Sequence, residues 1–317
     1  MTANLHQTVL TSGASIHLSS RAKWRLSGAD RVRYLNGQVT NDVRTANRTT
    51  ALYACVTNLK GKIEADIFIH VSPDGESLFL DADASLRETL GMRLERYIIA
   101  DDAILEDITD EWQLWHLIAP VSDTGTPSDA GTPARNPTDQ PAVTHEHRLT
   151  NNTRFHLPAT DLWLPASDVG TPSDVGTPAR NHTEARNLTE AEAETLRILQ
   201  KVPAYPHELN ADTFPQEAGL ETSAMSFTKG CYIGQEILSR IKTTGKMPRQ
   251  LIAITSPAPL KAGEPLLNAE AKEIGHITST TQHPETQATI GLAYIKQSAA
   301  DTSPWTTATG QSVTLRD

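Results

Sequence analysis

One stretch of the chain concentrates the residue types that do chemistry: SFTKGCYIGQEILSRIK, residues 226–242. It carries Cys231, one of only two cysteines among 317 residues. Gly230 permits backbone conformations that other residues avoid. A helix beginning near Tyr232 would place Cys231 at its N-terminal mouth. Ile233, Ile237 and Ile241, with Leu238, would anchor that helix on a core. Glu236 and Arg240 would pair across one turn of its outer face. Unpaired helix amides and the adjacent Lys229 would favour a thiolate at Cys231. Such a thiol suits a nucleophile, a redox centre or a contact to a metal cluster. A small buried cysteine packed in a turn is the equal alternative, and residue chemistry alone leaves the two open.

Other reactive groups are sparse. The second cysteine, Cys55, forms no CxxC pair, so no self-contained zinc or Fe–S site is expected. His145-Glu146-His147 is a tight histidine pair without further ligands nearby in sequence. Asn36, Gln38, Asn41 and Asp42 follow a short helical pattern, where such residues commonly satisfy turn backbone. Two lone cysteines fit a reducing compartment. Neither a signal-peptide pattern nor a run of about 18 apolar residues is found, so a cytoplasmic protein that does not cross a membrane is expected.

The formal net charge is −10. The densest basic patch, Lys229, Arg240, Lys242, Lys246 and Arg249, is small against that acidic total. Direct nucleic-acid binding is therefore not expected.

The elements that must position these groups are legible in patches. KIEADIFIHV (62–71) alternates, with Ile63, Ala65, Ile67, Ile69 and Val71 on one face and Glu64, Asp66, Phe68 and His70 on the other, the pattern of a half-buried strand. A turn and LFLDA return the chain as a second strand. Ser85 and Glu88 have capping-box spacing for a helix whose stripe is Leu86, Leu90, Leu94 and Ile98. AILEDI (103–108) reads as another strand. Thr189 and Glu192 repeat the capping-box spacing before a helix that must stop by Pro203.

Residues 122–136 and 167–181 match at thirteen of fifteen positions. They hold Gly, Pro, Thr, Ser and Asp and almost nothing to bury, so they read as duplicated loop insertions, at about 122–140 and 167–188, not as a repeating fold. Beyond residue 245 the runs RQLIAITS, EIGHITSTTQ, TIGLAYIK and QSVTLRD are punctuated by Gly and Pro, the pattern of a small β-barrel. The expected architecture is α+β, with a body over 1–244 and a C-terminal barrel over 245–317.

KGCYIGQE (229–236) resembles the signature of the YgfZ family of folate-binding proteins, which are related to the aminomethyltransferase (T-protein) of the glycine cleavage system. LSGADRVRYLNGQVTNDV (26–43), YACVTNLKGKIEADIFI (53–69) and LRILQKVPAYPHELNADTFPQEAGL (196–220) resemble further blocks of that family. The resemblance covers most of the chain apart from the insertions and the less distinctive C-terminal module. It implies a T-protein-like folate-binding body followed by the barrel, with tetrahydrofolate or a derivative as cofactor and no metal held stably by the chain alone. It also implies a part in the assembly or repair of Fe–S clusters in client enzymes such as tRNA methylthiotransferases, with client or assembly proteins as partners of a monomer.

Residue by residue, Cys231 falls on the motif's cysteine and is expected to be the working thiol. Lys229, Gly230, Gly234, Gln235 and Glu236 come with it as candidate cofactor contacts, joined by Asn36 and Gln38. T-proteins carry two adjacent aspartates where this chain reads Ala65-Asp66. Asp66 keeps a carboxylate for the folate and for catalysis, whereas Ala65 counts against aminomethyl transfer. Arg197 matches an arginine expected to contact the folate glutamate tail. Tryptophans that some relatives set around the pterin have no match here, because Arg21 and Ala193 stand in their place. The alternatives to cluster maintenance are a tetrahydrofolate-dependent aminomethyl- or methyltransferase, and a thiol-based binding protein without folate.

Overall fold

The computed structural model describes residues 5–72, 74–120, 148–152, 154–167, 186–300 and 303–316. Most of both duplicated insertions and the 145–147 histidine pair lie outside these residues. The body contains α1 (Leu5–Ser12), β1 (Ala14–His17), β2 (Arg21–Ser27), α2 (Arg31–Gln38), β3 (Leu52–Thr57), β4 (Ile63–Val71), β5 (Leu78–Asp83), α3 (Arg87–Glu95) and β6 (Ile104–Asp107). It continues with β7 (Trp112–Ile118), β8 (Arg148–Asn152), β9 (Ala159–Pro165), β10 (Arg186–Asn187), α4 (Glu190–Leu199) and α5 (Gln235–Thr244). The barrel strands are β11 (Arg249–Ser256), β12 (Pro265–Leu267), β13 (Glu273–Gln282), β14 (Thr289–Lys296), β15 (Trp305–Thr307) and β16 (Ser312–Leu315).

The first sheet has the order β3-β4-β5-β2-β6 and the second β10-β1-β7-β9-β8. In the first, Ala65, Ile67 and Ile69 of β4 join Trp24, Leu35, Leu80, Leu90 and Leu94 in one core under α2 and α3. The opposite face was expected to meet solvent, yet Asp66 and His70 are buried. The second sheet packs against that face, so β4 is covered on both sides. β10 pairs in parallel with β1 and Leu188 enters the second sheet's core, so residues 186–188, read from the sequence as the end of an insertion, belong to that sheet.

The helix signals fared differently. At α4 the Thr189–Glu192 box closes in both directions, and the helix ends at Leu199, before Pro203. At α3 the Ser85–Glu88 box does not form. Asp83 takes the Ser85 amide at 2.9 Å and the side-chain hydroxyl as well, which starts a tight turn and delays the helix to Arg87. Leu86, Leu90 and Leu94 are nonetheless buried as the spacing predicted, and Ile98 packs against them.

The barrel closes in the order β11-β14-β13-β12-β15-β16 around Ile254, Leu266, Ile277, Trp305 and Val313. Closure leaves no exposed strand edge. The barrel is tied to the body through buried groups: Ser279 of β13 donates to Glu208 at 2.6 Å, and the Tyr294 hydroxyl donates to the Glu208 carbonyl at 3.0 Å.

Candidate functional site

Alternation along the first sheet sends Tyr53, Asp66, Phe68, His70 and Asp81 to the face that meets the second sheet. The two sheets are joined there by a buried ionic cluster. Arg154 donates to both oxygens of Asp81, at 2.9 and 2.6 Å, and to Asp161 at 2.9 and 2.7 Å. Arg21 donates to Asp81 at 2.7 Å. His116 and Asn152 hold Asp161 at 2.7 and 2.6 Å, and His70 lies 3.2 Å from Asp81. Burial alone would raise both carboxyl pKa values, but the Arg154 charge overcomes it, helped by Arg21 at Asp81 and His116 at Asp161, and holds both well below the usual carboxylate range. Burial drives His70 the other way, toward its neutral form.

Beside this cluster opens a cavity of about 1270 Å³. Its ring of residues includes Arg21, Tyr53, Asp66, Phe68 and Arg154 on one side, and α4 with the 202–207 segment on the other. Asp66 is 5% exposed. One carboxylate oxygen, Oδ2, accepts the Tyr53 hydroxyl at 3.2 Å, while Oδ1 is buried and has no hydrogen-bond partner among the described residues. Burial pushes the Asp66 carboxyl above its ordinary pKa, and the nearby Arg21 charge tempers the rise. Tyr53 and Phe68 stack at 4.5 Å, and the Arg154 guanidinium lies 3.8 Å from the Phe68 ring centre. The result is an aromatic wall beside an orphaned carboxylate oxygen. Such a pair can take a flat heterocycle by its edge and its face.

Arg197 also lines the cavity, on α4, but its donors are spent inside the protein. Its guanidinium grips Glu194 at 2.7 and 2.6 Å, and donates to Glu208 at 2.9 Å, to the Val202 carbonyl at 2.6 Å and to Ser279 at 2.8 Å. These bonds lock α4 to the 202–208 segment and the barrel. Arg21 and Ala193, the positions without tryptophan, do line the cavity.

The remaining expected contacts gather elsewhere. Cys231 is exposed, and the helix after it begins only at Gln235, so the cysteine precedes the helix by four residues instead of occupying its mouth. The delay has a cause. Gly234 adopts φ +86, and a Cβ there would stand 2.6 Å from the Asn58 carbonyl oxygen and 2.9 Å from Gly61 Cα. Gly230, expected to need unusual backbone freedom, has no positive φ, and open space surrounds the position its Cβ would take.

Lys229 is buried, and its Nζ donates to the carbonyls of Asn36, Val39 and Asn41 at 2.7, 2.8 and 2.6 Å. Burial lowers its pKa to about 8. Asn36 caps the Val43 amide at 2.9 Å, and Gln38 accepts from Arg93 at 3.0 Å. Gln235 starts α5, and Glu236 pairs with Arg240 at 3.3 Å on the exposed face, as the spacing predicted. Lys229, Gly230, Gly234, Gln235, Glu236, Asn36 and Gln38 therefore fasten or flank the thiol loop, and none lines the cavity.

Sequence reasoning missed Tyr53, Phe68 and Arg154. A signal existed for the first two: Tyr53 and Cys55 alternate on β3 opposite Phe68 and Asp66 on β4, a cross-strand register readable once the hairpin is assumed. Arg154 offered none. Among the described residues no group of three or more His, Cys, Asp or Glu is placed to hold a metal ion.

Comparison with known proteins adds the wider frame. Residues 249–315 match the glycine cleavage T-protein C-terminal barrel domain. Over 282 residues the chain is 28% identical to an iron-sulfur cluster assembly factor IBA57 homologue, mitochondrial, of Pyricularia oryzae. The alignment covers 87% of this chain but 64% of the fungal protein, under two thirds of its length. It is 27% identical over 255 residues to the tRNA-modifying protein YgfZ of Yersinia pseudotuberculosis, covering 77% of this chain and 72% of that one. Among solved structures, the glycine cleavage system aminomethyltransferase T of Bartonella henselae superposes with a TM-score of 0.79 at 15% identity, over 99% of this chain and 88% of that one. The body and barrel thus share the T-protein fold.

Proposed function

We propose that this chain, a T-protein-fold protein related to the YgfZ and IBA57 families, binds a reduced folate in its cavity and serves the assembly or repair of Fe–S clusters in client enzymes. The observation that carries the folate reading is the unpartnered Oδ1 of Asp66 beside the Tyr53–Phe68 wall. An ionised carboxylate with a bare buried oxygen is costly unless a ligand completes it. The cavity, at about 1270 Å³, exceeds the roughly 300–1,000 Å³ of ordinary ligand pockets. A bound tetrahydrofolate supplies a carrier for one-carbon units and electrons.

The chain's own residues divide the work. Asp66 accepts N–H groups from the ring at Oδ1, in a setting where burial raises its carboxyl pKa. Tyr53 orients that carboxylate through Oδ2. Cys231 acts outside the cavity, on an exposed loop that Lys229 and Gly234 keep rigid, where a client protein or its cluster can reach the thiol. The relatives' names, an iron-sulfur cluster assembly factor and a tRNA-modifying protein, support this assignment, with the tRNA effect exerted through a client enzyme.

The test is the activity of [4Fe–4S] enzymes, a tRNA methylthiotransferase among them, in cells whose only copy carries Cys231→Ala or Asp66→Asn. Loss in both, with the proteins still abundant and folded, is the expected result. Full activity in the Cys231→Ala cells removes the thiol from the function.

One observation favours a second reading, aminomethyl or methyl transfer to tetrahydrofolate. Ala65, which counted against it in sequence, faces the helix-covered core, so the cavity side of β4 keeps its carboxylate at Asp66. Purified protein that forms no methylenetetrahydrofolate from a panel of methylated amines excludes this reading in its commonest form.

A further inference from the structure

We infer that the cavity recognises its ligand at the pterin end and leaves the glutamate tail unclamped, so that its ligand class is reduced pteroyl compounds irrespective of tail length. The inference rests on the folate reading above and concerns how the charges of the cavity are already committed.

Among the described residues the lining holds three arginines, Arg21, Arg154 and Arg197, and no lysine. A tail of glutamates asks for free guanidinium or ammonium groups in bidentate geometry. Arg197 has none to give: each of its nitrogens donates to Glu194, Val202, Glu208 or Ser279. Arg154 is committed through all three nitrogens, between Asp81 and Asp161. Arg21 already holds Asp81 and stands at the Asp66 end, 5.8 Å from the Phe68 ring centre, where the ring would sit. Its position serves ring recognition, not the tail.

The α4 side offers no freer cation. Glu190 and Glu194 line it, with Glu194 paired to the committed Arg197 at 2.6 Å and His207 close enough for its charge to act on Glu194. Of the other lining histidines, His17 is stacked on Trp115 and burial lowers its proton affinity, while His156 has Nδ1 on the Gln200 carbonyl at 3.0 Å. Additional tail carboxylates would find no free cation there and gain little. Asp66 Oδ1, the one buried side-chain polar atom of the described lining without a hydrogen-bond partner, is an acceptor, and the N–H edge of a pterin ring supplies adjacent donors to match it.

The experiment is calorimetric titration of the full chain with tetrahydropteroate, which lacks glutamate, with tetrahydrofolate and with its triglutamate. Dissociation constants within about fivefold of one another are expected, and a wider spread, in either direction, overturns the inference. Asp66→Asn, checked for an intact melting transition, should weaken all three equally by at least about tenfold. Unequal weakening, or none, overturns it as well. Absence of any tetrahydrofolate binding to the unmodified chain is a different outcome: it contradicts the folate reading itself, and the inference falls with it.

Discussion

The cavity and the cysteine loop are built on opposite plans. The cavity draws its polar groups from strands of two sheets and from α4, and leaves one buried oxygen, Asp66 Oδ1, without a partner. The loop packs nearly all its signal into eight consecutive residues, and most of them are fasteners: Lys229 pins three carbonyls, Gly234 makes a close approach to Asn58, and Tyr232 is buried with its pKa raised to about 12 by that burial. The exposed thiol is what they hold out. A dense motif therefore marks a precise presentation here, whereas the ligand site is diffuse in sequence and concentrated only in space.

The comparison breaks most sharply at the ionic cluster beneath the cavity. Asp81→Ala leaves Arg154 buried with half its partners and is expected to cost about 3–5 kcal/mol, read by denaturant unfolding. A loss under about 1 kcal/mol would mean the two sheets do not depend on it. Gly234→Ala comes next. The positive φ and the contact with Asn58 predict a loss of about 2–3 kcal/mol, with the Cys231 loop displaced. If stability is unchanged, the loop is not fastened as described.

Asp66→Asn should move stability the other way. Its carboxyl pKa is raised in the folded state, so the native protein binds more protons than the unfolded chain between the unfolded value, about 3.9, and the raised one. The stability this group contributes is present at low pH and lost as pH rises through the folded value. The asparagine variant should thus be the more stable protein at neutral pH, and the advantage should vanish as pH falls toward about 4. An advantage that grows in acid would reverse the assigned shift.

Smallest of all is Cys231→Ala, an exposed change expected to stay within about 0.5 kcal/mol. The companion measurement is thiol titration. One thiol per native chain should react, Cys231, and the second, Cys55, only on unfolding, since burial raises its pKa and hides it. Two reactive thiols in the native protein would contradict that burial.

Legibility in the sequence follows the range of the interactions. The barrel strands and α4 could be read because alternation, turn residues and a capping box are local. The Ser85–Glu88 box was misleading for an equally local reason, because Asp83 competes for the Ser85 amide. The helix mouth at Cys231 was misplaced because Gly234 reaches its left-handed conformation against Asn58 and Gly61, which are distant in sequence. Arg197 was identified, but its role turns on Glu208 and Ser279, brought to it by the fold and the barrel. The Arg154–Asp81 contact spans 73 residues and exists only once the two sheets pack, so no spacing announces it.

The most direct test of the division between cavity and loop is tetrahydrofolate binding measured side by side for the native chain, Asp66→Asn and Cys231→Ala. Binding that survives Cys231→Ala unchanged and falls by at least about tenfold in Asp66→Asn is the predicted result. Binding that depends on Cys231 and ignores Asp66 would contradict it, and would move the ligand from the cavity to the loop.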